Sequence, residues 1–148
     1  MNRFVSRYVS LVCVIVSVMA FSGHAEAAVR LHVSQGTAHF VSPSDFVGAG
    51  IATHLGAYSE EGTASFTPTS NPAVLRVDAS AAYTGTDGDE LHADFVGTLN
   101  GQTGALRAIV HYVGGTGRFA GAWGFGYLVG QMQPDGTISV RVIGLVNF

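Results

Sequence analysis

The stretch that decides the fold of this chain is Tyr112–Gly130, which reads YVGGTGRFAGAWGFGYLVG. A glycine-rich corner separates two extended segments. Because side chains on a strand alternate between its two faces, the second segment has one crowded face and one nearly bare face. The crowded face carries Trp123, Phe125, Tyr127 and Val129, and the bare face carries Ala122, Gly124, Gly126, Leu128 and Gly130. Bare faces are typical of strongly coiled sheets, in which backbone or a bulky neighbour approaches closely.

Turn signals divide the rest of the chain into segments of similar length. Glycine supplies positive φ, Asn and Asp tolerate it, and Pro presets the first corner of a turn. The predicted turns lie at 43–45, 60–62, 70–72, 87–89, 100–101, 114–117 and 134–136. Asn100-Gly101 has the composition of a two-residue hairpin turn. The eight segments between these turns are 29–41, 48–59, 63–68, 73–83, 90–99, 104–113, the second half of the opening stretch, and 137–148.

These segments predict one all-β domain over residues 28–148. No window shows a sustained 3.6-residue apolar period with capping residues, so no long helix is expected. Short strands joined by consecutive tight turns favour an eight-stranded antiparallel up-and-down β-barrel, whose closure removes exposed edges. The interior of such a barrel is filled by side chains or holds one small ligand.

Residues 1–27 have the layout of a secretory signal peptide. Arg3 and Arg7 give a positive start, an apolar run covers 8–21, and Ala25-Glu26-Ala27 provides an Ala-x-Ala cleavage site. The apolar run is shorter than the roughly 20 residues that a spanning helix needs. We therefore expect cleavage near Ala27, a secreted or periplasmic protein, and no stable membrane anchor afterwards. Cys13 leaves with the signal, so the exported chain has no disulfide.

Charge and motifs argue against several classes of partner. The exported part has five Arg and no Lys against nine acidic residues, a formal charge of −4, whereas nucleic-acid binding favours basic patches. The run from Gly115 to Ala120 imitates a dinucleotide fingerprint, but the helix that this motif requires does not follow it. The histidines form no zinc pattern. Glu90, His92 and Asp94 share one strand face and are most simply a solvated exterior, so we expect no metal, no cofactor and no nucleic acid.

The glycine corner, Val113 to Ala122, resembles the Gly-Gly-Thr-Gly corner of the allene oxide cyclase and dirigent barrels, and in particular that of small secreted bacterial relatives of these calycin-like proteins. Ile51 to Gly56, followed by Glu61-Gly62, is similar to a second motif of that bacterial group. The resemblance implies an eight-stranded antiparallel barrel with a cavity at one mouth, and often a trimer. The chain does not show the catalytic residue pattern of the plant cyclases, so no catalytic residue is transferred to it.

His54 is the first candidate for a ligand-binding residue. Its face of the predicted second strand reads Gly50, Ala52, His54, Gly56 and Tyr58, so small residues flank one titratable ring. In a barrel interior this pattern would leave space beside an imidazole that donates or accepts hydrogen bonds near neutral pH. The alternative is a packed histidine bonded to a backbone carbonyl. Tyr58 and Tyr112 are candidate polar neighbours in the same cavity.

Further candidates follow the glycine corner. Arg118 is a candidate for meeting an anionic ligand at the mouth of the barrel; the alternative is that it pairs with a carboxylate or with carbonyls across the loop. Trp123, Phe125 and Tyr127 are candidates for the core or a cavity wall, or for a surface on which a ring-bearing ligand stacks.

The leading functional hypothesis is a secreted barrel that binds a small hydrophobic or aromatic molecule in its interior without turning it over. The alternatives are an allene oxide cyclase-like isomerase or cyclase, a small outer-membrane barrel, and a filled barrel with a structural or partner-binding role. A homotrimer or homodimer is compatible with each. No Ser-His-Asp or Cys-His constellation can be assembled from the sequence.

Overall fold

The structure, a computed structural model, describes residues 28–148, so the predicted signal peptide lies outside the described residues. This part of the chain forms a closed barrel of eight antiparallel strands in sequence order. The strands are β1 (Val29–Phe40), β2 (Asp45–Ala52), β3 (Gly56–Pro68), β4 (Val74–Gly85), β5 (Glu90–Asn100), β6 (Ala105–Gly115), β7 (Trp123–Met132) and β8 (Ile138–Asn147). A short 3₁₀ turn, Gly117–Phe119, precedes β7. The predicted all-β, eight-stranded, up-and-down barrel is confirmed.

The ring closes through the pairing of the first and last strands. β1 and β8 pair from Val29↔Asn147 to Ala38↔Ile138, and every other strand pairs with its neighbours in sequence. One irregularity, between His92 and Ala93, interrupts the pairing of β5 with β6. No helix within residues 28–148 is long and apolar enough to cross a membrane.

The boundary between the second and third strands differs from the prediction. The sequence indicates a turn at 60–62, but β3 runs through these residues and the chain turns instead at Thr53, His54 and Leu55. His54 takes a positive φ of 71° there, which is uncommon for a residue with a side chain. The sequence Glu60-Glu61-Gly62 is typical of a turn. On β3, however, its side chains alternate between the two faces of the strand, so Glu60 is buried and Glu61 is exposed.

The hairpin at Asn100 is also wider than predicted. The amide of Gly104 donates to the carbonyl of Asn100 at 2.8 Å, which encloses three intervening residues rather than forming a two-residue turn. The Asn100 side-chain oxygen accepts hydrogen bonds from the amides of Gln102 and Thr103, so the loop is held by an Asn side chain as well as by backbone.

The two ends of the barrel differ in how they are covered. We call the end that carries the turns at 53–55, 86–89 and 116–122 the closed end. Phe119 is fully buried there, and its ring lies 4.7 Å from that of Phe148. Leu55 and Leu91 complete this plug. The opposite end carries the turns at 41–44, 69–73, 101–104 and 133–137. We call it the open end because Phe40, Phe46 and Phe66 inside it are only partly buried.

Candidate functional site

A pocket of about 80 Å³ lies inside the barrel at the open end. Its wall is almost entirely apolar. Three phenylalanines, Phe40, Phe46 and Phe66, stand at the mouth, where Phe40 meets the other two edge-to-face at 5.9 and 5.6 Å. The remaining lining residues are Ala38, Glu60, Ala64, Val77, Ala79, Tyr83, Phe95, Leu99, Leu106, Ala108, Leu128, Met132, Ile138 and Val140. Glu60 and Tyr83 are therefore the polar side chains of this pocket.

Glu60 is the one charged side chain in the pocket wall. It is 6 % exposed, and a Cβ atom on Gly48 of the neighbouring strand would lie 2.8 Å from its carboxylate, so glycine leaves the space that the carboxylate fills. Burial raises the pKa of Glu60 to about 7, and a hydrogen bond with the Tyr83 side chain opposes part of that rise. A carboxyl group with this pKa exchanges a proton near neutral pH.

Sequence reasoning missed Glu60 because it assigned this residue to a turn. The signal that could have found it is the alternation along β3. Tyr58, Glu60, Gly62, Ala64 and Phe66 occupy every second position, and four of these five are apolar or small, as on a buried strand face.

Tyr58 and Tyr112 face the interior as predicted, but they lie deeper than the pocket and do not line it. A Cβ atom on either Gly36 or Gly50 would lie 2.6 Å from the Tyr58 hydroxyl oxygen, so these two glycines make room for that group. Burial raises the pKa of Tyr58 to about 12, and a hydrogen bond with Ser34 works in the opposite direction. The Tyr58 ring meets the Tyr83 ring edge-to-face at 5.1 Å, which links the deep interior to the base of the pocket.

Below Tyr58, His32 and Tyr112 form a second buried polar pair. Their rings meet edge-to-face at 5.2 Å, and both side chains are 4 % exposed. Neither the His32 Nδ1 atom nor the Tyr112 hydroxyl has a hydrogen-bond partner among the described residues. Burial, with a smaller effect of nearby His54, lowers the pKa of His32 to about 4, and burial raises the pKa of Tyr112 well above its ordinary value. His32 is therefore neutral near neutral pH.

The expectation that His54 faces the interior from the second strand is wrong. β2 ends at Ala52, and His54 lies on the closed-end turn. Its Nε2 atom is 3.0 Å from the carbonyl oxygen of Leu31, and its ring meets that of Phe148 edge-to-face at 5.3 Å. The alternative interpretation, a packed histidine bonded to a backbone carbonyl, is the one that the structure shows.

Arg118 also lies at the closed end, remote from the pocket mouth. Its guanidinium contacts the Asp87 carboxylate at 2.7 Å and that of Asp89 at 3.6 Å, and it donates to the carbonyl of His54. Gly117, which precedes Arg118, is required by the approach of Asp89, because a Cβ atom on Gly117 would overlap the Asp89 carboxylate. The structure shows the second interpretation of Arg118, in which it pairs with a carboxylate and a carbonyl across the loop. Arg118 thereby joins the three turns of the closed end.

Trp123, Phe125 and Tyr127 lie on the outside of the barrel, so the expectation that they form the core or a cavity wall is wrong. Their exposed fractions are 58 %, 58 % and 43 %. The glycines between them occupy the concave inner face, where Gly126 pairs with Gly144 of β8 and their backbones approach closely. Exposed aliphatic side chains lie beside the aromatics, together with His111, which pairs with Phe125, and Arg107, which lies 3.4 Å from the Tyr127 hydroxyl. This surface, which we call the apolar outer face, comprises Leu31, Ile109, Trp123, Phe125, Tyr127, Val129, Ile143 and Leu145.

The opposite outer surface of the barrel is polar. β3 to β5 present Ser, Thr and charged side chains, among them Glu61, Asp78 and the pair formed by His92 Nε2 and Glu90 at 2.9 Å. The expected exterior placement of Glu90, His92 and Asp94 is confirmed, since all three point outward from β5. Residues 28–148 contain no group of three or more His, Cys, Asp or Glu side chains arranged to hold a metal ion.

No family model and no curated protein matches the chain. Among solved structures, the chain is similar to a nonspecific heme-binding cyclase that catalyses a cycloaddition during neoabyssomicin biosynthesis, with 15 % identity and a TM-score of 0.49, over 85 % of this chain and 70 % of that one. A likeness at this level carries no argument about function.

The burial of Glu60 predicts a pH-dependent stability difference in the variant Glu60→Gln. A carboxyl group whose folded-state pKa lies above its unfolded value binds more protons when folded, so it lowers the stability progressively as the pH rises from 4.5 through about 7. The free energy of unfolding of Glu60→Gln, measured by urea denaturation, should therefore gain about 3 kcal/mol relative to the wild type between the two ends of this range.

The matched control for this measurement is Glu61→Gln, because Glu61 is the next residue on β3 and points outward. Its stability curve should run parallel to that of the wild type. A Glu60→Gln curve that also runs parallel would show that the carboxyl group of Glu60 titrates as it does in the unfolded chain.

Proposed function

We propose that this chain is an exported barrel that binds a small apolar or aromatic molecule in the pocket at its open end without turning it over. The observation that carries this proposal is an apolar funnel of phenylalanine and aliphatic side chains that ends on a single hydrogen-bonded carboxyl group, Glu60. Ligand sites in proteins are lined mostly by hydrophobic and aromatic side chains, with a few placed polar groups that fix orientation.

The size of the pocket limits what enters it. Its volume of about 80 Å³ is roughly half of the 150 Å³ of an engineered apolar cavity that binds benzene. A slim chain or the edge of a ring therefore fits inside, and the remainder of the ligand contacts Phe40, Phe46 and Phe66 at the mouth. These three rings are partly exposed without a ligand, so covering them contributes favourably to binding.

The resemblance in the glycine corner supports a place for the chain among the allene oxide cyclase and dirigent barrels, and we propose that membership. In this chain Gly117 and Arg118 carry out a packing role at the closed end, where Arg118 pairs with Asp87. We further propose that the protein is secreted or periplasmic after cleavage near Ala27. The molecular mass of the protein recovered outside the cytoplasm shows where the chain is cleaved and so tests the cleavage site.

A second candidate function, an isomerase or cyclase, is favoured by one specific observation. Glu60 has a pKa of about 7 inside an apolar pocket, and a carboxyl group of that kind can act as a general acid or base at neutral pH. On this hypothesis Glu60→Gln abolishes turnover of an unsaturated epoxide or polyene substrate. Chiral chromatography of the product measures the turnover. His54→Ala retains it, because His54 lies on the closed-end turn outside the pocket. Equal loss of turnover in both variants would contradict it.

We also propose that the apolar outer face binds a second copy of this chain, in a homodimer or homotrimer. The three aromatic side chains of this face alone would bury about 300 Å² at their exposed fractions. With the aliphatic side chains around them, the face approaches the roughly 800 Å² per partner of a stable interface. A barrel in a lipid bilayer has an apolar band around its whole circumference, whereas β3 to β5 present charged side chains on this barrel.

The assembly proposal predicts that Phe125→Glu yields a monomer. Phe125 is the third residue of β7 and lies on the apolar outer face, and a buried unpaired carboxylate opposes association. Sedimentation velocity at several protein concentrations measures the mass. The control is Val96→Glu, an exposed apolar residue on the polar side of the barrel, which should leave the mass unchanged. A wild-type protein that is monomeric throughout would refute the proposal.

The binding proposal predicts that filling the pocket removes binding. Ala79→Leu adds three carbon atoms to the pocket wall, whereas Ala82→Leu places the same atoms on the outside of the same strand. Calorimetric titration with 1-hexanol should show saturable binding to the wild type and to Ala82→Leu, and at least about tenfold weaker binding to Ala79→Leu. Equal affinity for all three proteins would place the alcohol somewhere other than this pocket.

A further inference from the structure

The carboxyl group of Glu60 has no partner of opposite charge among residues 28–148. The ion pairs of residues 28–148 are formed by Arg76 with Asp78, His92 with Glu90, and Arg118 with Asp87 and Asp89. None of them includes Glu60, and the pocket wall contains no Arg, Lys or His. A carboxylate buried in apolar surroundings is costly unless it is paired, so the free pocket favours a neutral Glu60 and leaves the position of a counter-ion unfilled.

The groups that face Glu60 are neutral near physiological pH. Tyr83 faces it from β4 and Tyr58 from its own strand, and Tyr112 of β6 acts on Tyr83 from below. The neighbouring strands β1 and β2 bring Ala38 and Gly48 to this level, which have no titratable side chain. Burial holds the pKa values of all three tyrosines above their ordinary range, so none of them supplies a charge that would balance the carboxylate.

We propose that the pocket selects a small apolar amine, whose ammonium group occupies the base of the pocket as the counter-ion of Glu60. This inference rests on the proposed binding function and names the chemical class of its ligand. The amine places its ammonium group against the carboxylate, while its hydrocarbon part fills the apolar funnel and meets the phenylalanine rings at the mouth. A hydrogen bond between two charged groups is shorter and stronger than one between neutral groups, and the dry surroundings strengthen it.

The same geometry disfavours the other common ligand classes. A carboxylic acid brings a second carboxyl group against the first, so both ionise only at a high energetic cost. An alcohol of equal length fills the same apolar space but forms a weaker hydrogen bond with Glu60. The three classes therefore differ at the head group and not in the apolar contacts, which allows the head group to be tested separately.

A matched series of six-carbon probes, n-hexylamine, 1-hexanol and hexanoate, tests the inference by calorimetric titration of the exported protein. At about pH 8 hexylamine should bind at least about tenfold more tightly than hexanol, as expected for a hydrogen bond to a charged group. Because Glu60 must be ionised to pair with the ammonium group, the hexylamine affinity should rise about tenfold between pH 6 and pH 8. Hexanoate should bind more weakly than hexanol.

Variants of the two adjacent glutamates separate the charge from the pocket. Glu60→Gln should bind hexylamine no more tightly than hexanol, whereas Glu61→Gln should keep the preference of the wild type. If Glu60→Gln does not fold, the pH profile of the wild type decides by itself. Hexanol binding without a preference for hexylamine, or tighter binding of hexanoate, overturns the inference and leaves the proposed binding function standing. Binding of none of the three probes overturns both.

Discussion

The interior of an eight-stranded barrel has a small volume, so large side chains that point inward require small residues nearby. This constraint accounts for the placement of the polar groups in this protein. The Tyr58 hydroxyl lies over Gly36 and Gly50, and the Glu60 carboxylate lies over Gly48, so β1 and β2 contribute space and the neighbouring strand β3 contributes the polar groups. A larger residue at any of these glycines would displace the polar group that defines the interior.

The same constraint explains why the strand pattern was predictable and the orientation of β7 was not. Clean alternation on β5, with Leu91, Ala93, Phe95 and Leu99 on one face, identifies both the strand and its buried side. On β7 the alternation is equally clear, but burial of the aromatic face is the wrong choice. The concave face of a strongly coiled sheet is the crowded one, where the backbones of Gly126 and Gly144 meet, so the glycines face inward. Hydrophobicity alone does not predict which face of β7 points inward, because that orientation depends on the curvature of the sheet and on what covers the outside of the barrel.

The candidate site was predictable only in part for a related reason. Tyr58 faces the interior, but from β3 and not from the predicted second strand that it was expected to share with His54. His54 was misplaced because the strand was extended through a turn in which a histidine takes positive φ, which no simple turn rule anticipates. Glu60 was missed because a charged residue is normally solvated, and its burial depends on a glycine and a tyrosine that are distant in sequence. Local sequence patterns do not show that residues distant in sequence make room for a buried carboxyl group and hydrogen-bond it.

The burial of His32 has a consequence for the response of the barrel to acid. A histidine whose folded-state pKa is lowered to about 4 contributes stability that is present above pH 6.5 and is lost as the pH falls toward 4. The contribution of Glu60 has the opposite slope from pH 4.5 upward. Between pH 4.5 and 6.5 the two slopes cancel, since the unfolded chain gains a proton on the imidazole while it lacks one on the carboxyl group. The two groups together therefore leave the free energy of unfolding nearly independent of pH across this window.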